Sequence, residues 1–484
     1  MQPVCEGHPQ VVGRSAGLHL VLRPPEVEEE PVLQGEADVD AAGASIYGSV
    51  IRDGGRFRMW YQAWPRDWDG TDVLTVACVE SEDGHRWHRP AYGLVECCGS
   101  RANPLTDLPF HSPSVLLDPT AGPEARYRAF GYCRPERLRG RFAHRVEESG
   151  YFTAHSADGV HWELDPPRPL LPDADVITSA WDPWSACARL CLKRNGLAAG
   201  LHRRRFYTAT WAGGQLSEPV SALVPDEWDD AGARSRGFHS ADYYGAALLP
   251  TPGPTLAILW TFRHLLPLGH LESHLLDYGS AGRVDLSLVC QPERGGRWLH
   301  LPGRPDWLPA AQAPPWARGS LYTAASPLDV GEETWLYFTG TVDQHGRCGV
   351  GRDYPEWCAE SASQGGFSRI GLLRWPRLRL MGYRATLAER LQLVARRGEG
   401  PGRLAVNVAC RTGGCLRARL LDGRRQALPG YGFEACVPVH GDALDAQVHW
   451  LGRSQLPVPS AGYELVAELE LVDGTLYAFE FTCA

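Results

Sequence analysis

The sequence predicts an all-β protein, a five-bladed β-propeller followed by a small β-sandwich. Three observations carry this. The segment Ser-x-Asp-Gly-x-x-Trp occurs twice, at Ser81–Trp87 and Ser156–Trp162, each time behind a strand-like run. Aromatic, β-branched strands recur at intervals of about seventy residues over most of the chain. The last hundred or so residues change to short alternating runs broken by glycine turns.

The repeated segment reads as a stapled hairpin. Asp-Gly favours a tight turn, because glycine accepts a positive φ and the aspartate binds the turn's own N–H groups. The tryptophan starts the return strand and packs beside the turn. Asp83 and Asp158 are therefore expected to be structural. A decayed third copy lies in "LSLVCQPERGGRW", Leu286–Trp298. Trp87 to Trp162 is 75 residues, and Trp162 to Trp298 is 136, or two periods of about 68. One copy has thus lost its signature, near "FYTATWAGGQLSEPV", and "TWLYFTGTV" with "SRIGLLRW" closes a last unit near Trp375. Five units between about residues 40 and 380 fit a propeller of four-stranded blades. The stretches Arg56–Trp64, Arg126–Cys133, Arg204–Trp211, Thr255–Phe262 and Thr334–Gly340 are expected to be the second strand of each blade. The propeller is assigned to residues 1–385 and the sandwich to 386–484. At the junction, "TLAERLQLVARR" (Thr386–Arg397) suits either a strand pair or one short helix. Helix signals are otherwise nearly absent. "PPEVEEEP" (Pro24–Pro31) reads as a solvated acidic arm, and "HRRR" (His202–Arg205) as a surface turn.

Composition narrows the function. The chain of 484 residues has a formal charge of −9 with no block of either sign, which argues against nucleic-acid binding. No apolar run is long enough to span a bilayer. The N-terminus lacks the basic start and apolar stretch of a secretory signal, so a cytoplasmic location is expected. Fourteen scattered cysteines without a CxxC pair fit reduced thiols and no zinc site. Seventeen tryptophans are many, and such rings line sugar pockets and pack between sheets.

The segments "FRMWYQAW", the two hairpins, "AYGLVECCGSRANPL", "DPTAGPEARYRAFG" and the tail "LAVNVACRTGGCLRARLLDGRRQALPGYGFEAC…VHW…LYAFEF" together resemble glycoside hydrolase family 32, the family of invertases and fructanases. Families 43, 62, 68 and 130 have related propellers. The closest likeness is to a loose group of bacterial proteins with a family-32-like N-terminal domain, and it covers nearly the whole chain. The resemblance implies a propeller plus sandwich and an activity on glycosidic bonds. The chain departs from it at the chemistry. The W-M-N-D-P-N and R-D-P segments of invertases are missing. The one Glu-Cys pair, Glu96–Cys97, falls between the first and second units rather than in the third. The invertase reaction does not carry over.

Candidate chemistry therefore comes from position. Side chains at the starts of the innermost strands converge on the propeller's central funnel, and glycoside cleavage uses two carboxyl groups. The unit starts offer Asp38 and Asp40; Asp107 and His111; Asp173, Asp175 and Asp182; His239 and Asp242; and, in the fifth, only Arg318. Asp40 is expected to be base or nucleophile and Asp175 the acid, with Asp242 or His111 tuning them. Trp64, Asp107, His111, Asp182, His239, Arg263 and His345 are expected to bind substrate. The insertion around His264, His270 and His274 has no metal-ligand spacing, so no metal or cofactor is expected; its Arg263 and histidines suit an anion, which keeps a phosphorylase in view.

The function read from the sequence is a glycosidase-like enzyme acting on a small-molecule carbohydrate or glycosylated substrate. The alternatives are a carbohydrate-binding propeller without turnover and a repurposed propeller of a specialised biosynthetic pathway. A sandwich edge leaves room for a homodimer, but the sequence fixes no oligomeric state.

Overall fold

The computed structural model describes residues 1–68, 74–138, 146–172, 175–198, 201–265, 282–345, 366–398, 401–453, 455–458 and 464–483. Five antiparallel sheets follow one another along the chain, each a meander. The first blade comprises Gly43–Asp53, Arg56–Trp64 and Val76–Ser81. The second comprises His111–Leu117, Tyr127–Cys133, Gly150–Ser156 and Glu163–Leu164. The third is Ile177–Asp182, Cys187–Ala198 and Leu201–Ala212, edged by Gln215–Leu216 and Val220–Leu223. The fourth is Ser240–Leu249, Thr255–His264 and Gly282–Gln291, edged by Leu299–His300 and Asp306–Leu308. The fifth is Ser320–Thr323, Glu333–Thr341 and Ser368–Pro376. The chain is thus all-β with a five-bladed propeller, and the remaining strands form a nine-stranded sheet consistent with a β-sandwich.

Hydroxyl side chains join neighbouring blades around the ring. The Ser49 Oγ accepts from Val115 N (3.0 Å), and Ser114 and Ser179 share a bond of 2.8 Å. The Thr178 hydroxyl donates to the Ala246 carbonyl (2.6 Å), Ser320 Oγ accepts from Val284 N (3.1 Å), and Thr339 Oγ1 accepts from Ile46 N (2.6 Å). Small polar side chains suit this place. They satisfy backbone groups that strand pairing leaves over, where a large side chain would not fit.

The repeated hairpin has the expected turn chemistry and a further task. In both copies the serine Oγ accepts from the N–H of the Asp and Gly that follow, and the Asp Oδ1 accepts from two more N–H groups. The glycine carbonyl then takes a donor from the preceding blade. Tyr337 of the fifth blade donates to Gly84 O (2.8 Å), and Trp60 Nε1 of the first donates to Gly159 O (2.7 Å). Each hairpin is a clasp across a blade seam, which explains why the motif recurs at blade spacing. At Gly159 φ is +76°, and an added Cβ would lie 2.7 Å from the Trp60 ring. At Gly213 φ is +56° with open space around it. Gly213→Ala is expected to cost roughly 1–2 kcal/mol of backbone strain, and Gly159→Ala about 1–3 kcal/mol more from overpacking. Chemical-denaturation midpoints of the two variants measure the difference.

Three expectations change, and one open alternative is settled. In the third blade Leu201–Ala212 is the third strand and Cys187–Ala198 the second. The second strands thus begin at residues 56, 127, 187, 255 and 333, and the anomalous interval of 51 residues disappears. The strand was hidden because "CARLCLKRNGLA" is rich in cations. The acidic arm is not simply solvated: Glu26–Val27 is the outer strand of the fifth blade, and the backbone carbonyls of Arg23 and Glu29 accept from Trp307 and Trp316. Glu227–Arg234 is an α-helix started by an Asp226 capping box, which the strand-based reading passed over. The junction segment forms strands, Glu389–Val394 and Arg396–Arg397.

Strands from both sides of 385/386 share one sheet. Gln2–Pro3, Val11–Arg14 and His19–Leu22 pair with strands of the C-terminal sheet, and so does Met381–Ala385. The long strands Arg403–Leu421 and Val466–Cys483 pair along most of their length, with a register shift between Cys410 and Cys415. The N-terminus therefore runs through the C-terminal sheet first and then closes the propeller ring. No helix among the described residues is long and apolar enough to cross a membrane.

Candidate active site

The inner strands of all five blades, or the turns leading into them, bring a polar or aromatic side chain to the middle of the ring. The first gives Tyr47, the second His111, the third Asp175, the fourth Tyr244 and the fifth Tyr322. Tyr47 lies 5.2 Å from Tyr322 and 6.1 Å from His111 between ring centroids, and Tyr244 lies 5.7 Å from Tyr322. Trp260 packs beneath, 5.9 Å from Tyr47 and 5.8 Å from Tyr322. Register shifts at Ser45/Ser49, His111/Ser114 and Tyr243/Gly245 turn Tyr47, His111 and Tyr244 off the regular alternation. Bulges of this kind re-aim side chains.

Asp175 is the charged centre of the group. Its Oδ2 is 2.6 Å from Lys193 Nζ, and its Oδ1 is 3.4 Å from His111 Nε2. The Tyr244 hydroxyl donates to Oδ2 at 3.4 Å and is 3.2 Å from His345 Nε2. Burial by itself would raise the pKa of Asp175, but Lys193 and His111 outweigh it and hold the carboxyl well below the usual carboxylate range. Burial and the neighbouring carboxylate push the Tyr244 hydroxyl well above its ordinary range, so it remains a donor. The Lys193 ammonium also sits 4.4 Å from the centre of the Tyr244 ring. The arrangement offers a carboxylate held ionised, a histidine 3.4 Å from it, and aromatic walls. It can stabilise positive charge on a ligand and pass a proton through His111.

The other expected site residues fall in different places. Trp64 lines one edge, 6.5 Å from His111, against Trp68 and Phe367, with Nε1 on Ser45 Oγ. His345 joins the group through Tyr244. Asp40 is wholly buried and spoken for: Glu36 N and Ala37 N donate to Oδ1, and Tyr61 OH (2.7 Å) and Arg89 Nε and Nη2 (3.1 and 3.0 Å) to Oδ2. That is the coordination of an anchor, and it leaves no lone pair for a substrate. Asp242 is similarly occupied by Arg203 (3.0 Å), Arg204 N (3.1 Å) and His264 (3.0 Å). Asp107 accepts from Trp162 N (2.7 Å) and fixes the second hairpin. Asp182 ends its strand at the side away from Asp175, bound by Arg189 and Arg294. Arg263 is buried between Asp285 and Asp306, and His239 is exposed. Asp173, His270 and His274 lie outside the described residues. Among the described residues no three His, Cys, Asp or Glu side chains gather as a metal set.

Lys193, Tyr47, Tyr244 and Tyr322 were not read from the sequence. One signal for them exists: Tyr-Gly at 47–48 and again at 244–245, each near the start of an inner strand. Lys193 had none, because its strand had not been recognised.

The buried carboxylates set an acid limit. Burial tends to raise the pKa of Asp242, but His264 and the two arginines bring it down to about 2. A folded-state value below the unfolded one adds stability above the ordinary carboxylate pKa of about 4. That contribution is lost as pH falls from about 4 to about 2, as the unfolded chain takes protons first. Asp242 alone accounts for roughly 2 kcal/mol of it. Denaturation midpoints measured down this range should fall steeply, and Asp242→Asn should flatten the fall while lowering stability at neutral pH.

No family model matches the chain, and no curated protein matches it by sequence. Solved structures match it in fold. A family 43 arabinoxylan arabinofuranohydrolase from Bacillus subtilis, in complex with cellotetraose, is 10% identical with a TM-score of 0.38, over 93% of this chain and 97% of its own. A family 32 β-fructofuranosidase of Bombyx mori is 11% identical with a TM-score of 0.38, over 94% and 95%. An N-acetylgalactosamine deacetylase from F. plautii, in complex with blood group B trisaccharide, is 13% identical with a TM-score of 0.44, over 75% and 96%. Families 32 and 43 are both represented, and at these identities the likeness is one of fold.

Proposed function

We propose that the chain is a glycosidase-like hydrolase acting on a small glycoside or sugar-like molecule at the propeller centre. The observation that carries this is Asp175, an ionised carboxylate held between Lys193 and His111 inside a ring of Tyr47, Tyr244 and Tyr322. Sugar rings present apolar C–H faces to aromatic walls and hydroxyls to polar groups, and this centre has both. The roles differ from those expected by position. A carboxyl held this far below its ordinary range is not a proton donor near neutrality, so Asp175 acts as base, nucleophile or stabiliser of an oxocarbenium-like centre. His111 supplies the proton to the leaving oxygen, its imidazolium stabilised by Asp175.

A second reading is a carbohydrate-binding propeller without turnover. It draws on Asp40 and Asp242, the other two expected acids, both of which are bound by arginine. A panel of nitrophenyl glycosides differing in sugar and anomer separates the readings. Enzymatic release of nitrophenol from at least one member is expected. Binding of sugars with no release from any member would replace the hydrolase by the binding protein.

A further inference from the structure

We infer that the seam between the third and fourth blades holds a second ligand site, for a neutral polyhydroxylated molecule such as a small sugar or polyol. The third hairpin occupies this seam. Aligned on its tryptophan, it places Pro292 where the clasps have serine and Arg294 where they have aspartate; Gly295 keeps the positive φ, +74°. Arg294 reaches Asp182 (3.1 Å) and the backbone carbonyls of Thr251 and Pro252. Among the described residues no aromatic donor of the third blade reaches the Gly295 carbonyl, as Tyr337 and Trp60 reach Gly84 and Gly159. The hairpin holds its neighbour by a cation at one end and does not close the seam.

What remains is a cavity of about 680 Å³, within the range of small-molecule sites. Its walls carry Thr208, Thr210 and Ser221 from the third blade and Thr255, Gln291 and Trp298 from the fourth. Thr255 is fully buried and Trp298 is 7% exposed, yet among the described residues Thr255 Oγ1 and Trp298 Nε1 have no hydrogen-bond partner. Buried polar atoms left unpaired each cost about 1–3 kcal/mol, so two just beneath one cavity's wall mark a place where a small shift of the wall side chains would let a ligand's hydroxyls satisfy them. Val220 and Val224, 64% and 39% exposed, add an apolar rim for the C–H face of such a ligand. The charges favour a neutral one. Arg189 and Arg294 share Asp182, at 2.7 and 3.1 Å, and Glu218 and Arg297 at the wall are of opposite sign, so no large excess of one charge faces the cavity. The cavity shares no residue with the group around Asp175.

The test is local. In the indole N–H spectrum of ¹⁵N-labelled full-length chain, Trp298 is assigned as the resonance lost in Trp298→Phe, or displaced by Ser221→Tyr where the first variant does not fold. Maltotriose, xylotriose and myo-inositol are titrated to tens of millimolar. A saturable shift of that resonance is expected with at least one probe. It should persist in Asp175→Asn, and Ser221→Tyr, which fills the cavity, should weaken it at least about tenfold in Kd. A resonance that moves with none of the three, or moves equally in Ser221→Tyr, overturns the site. Because Asp175→Asn is the background in which the seam is read, loss of function at the centre and absence of the seam site give different results.

Discussion

Replacing Asp40 with alanine lowers the stability of the chain by about 3–5 kcal/mol, the range for removing one partner of a buried ion pair. The reason lies in what remains. The Arg89 guanidinium, the Tyr61 hydroxyl and two backbone N–H groups all point at the missing carboxylate. Water does not reach the position, since Asp40 has no exposed surface. The loop it organises, Glu36 to Asp40, leads directly into the inner strand of the first blade. A double-mutant cycle with Arg89→Met is informative, because removing both charges should return part of the loss. A change below about 1 kcal/mol in Asp40→Ala would sink the anchoring role and return Asp40 to the list of reactive groups.

The second large effect is at the centre. Asp175→Asn is expected to lower kcat/KM for a glycoside the chain hydrolyses by about 10²–10⁴-fold, the range for a proton-transfer or charge-stabilising group. The fall should lie mostly in kcat, since the aromatic walls that hold the sugar are untouched. Lys193→Met separates charge from shape. Without the ammonium 2.6 Å away, the pKa of Asp175 rises, and the acid limb of the pH–rate profile should move to higher pH. An unchanged acid limb in an active Lys193→Met enzyme would remove Asp175 from the mechanism.

The fold was legible in the sequence because its signals are local. The hairpin motif contains its own turn chemistry, with serine, aspartate and glycine bonding within five residues of one another. Blade count followed from hairpin spacing, and the one miscounted interval came from Cys187–Ala198, whose Lys193 and Arg194 disguise a strand with cations facing the funnel and rim. The ring closure by Glu26–Val27 was hidden for a different reason. Its partner lies some 350 residues away at Leu373 and Arg374, and no local pattern records such a pairing.

The site was legible only in part. Reading unit starts brought out Asp175 and His111, which lie together at the centre, and Trp64 and His345, expected from elsewhere in the sequence to bind substrate, lie beside them. The same rule chose Asp40 and Asp242, because a carboxylate before an inner strand looks alike whether it faces a ligand or an arginine. Arg89 lies 49 residues from Asp40, and Arg203 lies 39 from Asp242, so the pairing partners were invisible at the motif scale. Tyr47 and Tyr244 reach the candidate site through bulges that alternation does not foresee, and Tyr322 reaches it from a regularly paired strand.

The central claim is that sugar chemistry takes place at Asp175. It is tested most directly by a crystal structure of the Asp175→Asn chain with a glycoside that the wild-type protein hydrolyses. The account predicts a sugar ring among Tyr47, Tyr244 and Tyr322, with its anomeric carbon facing residue 175 and the glycosidic oxygen within hydrogen-bond reach of His111. A glycoside bound away from these residues, with the centre closed to it, would contradict the account.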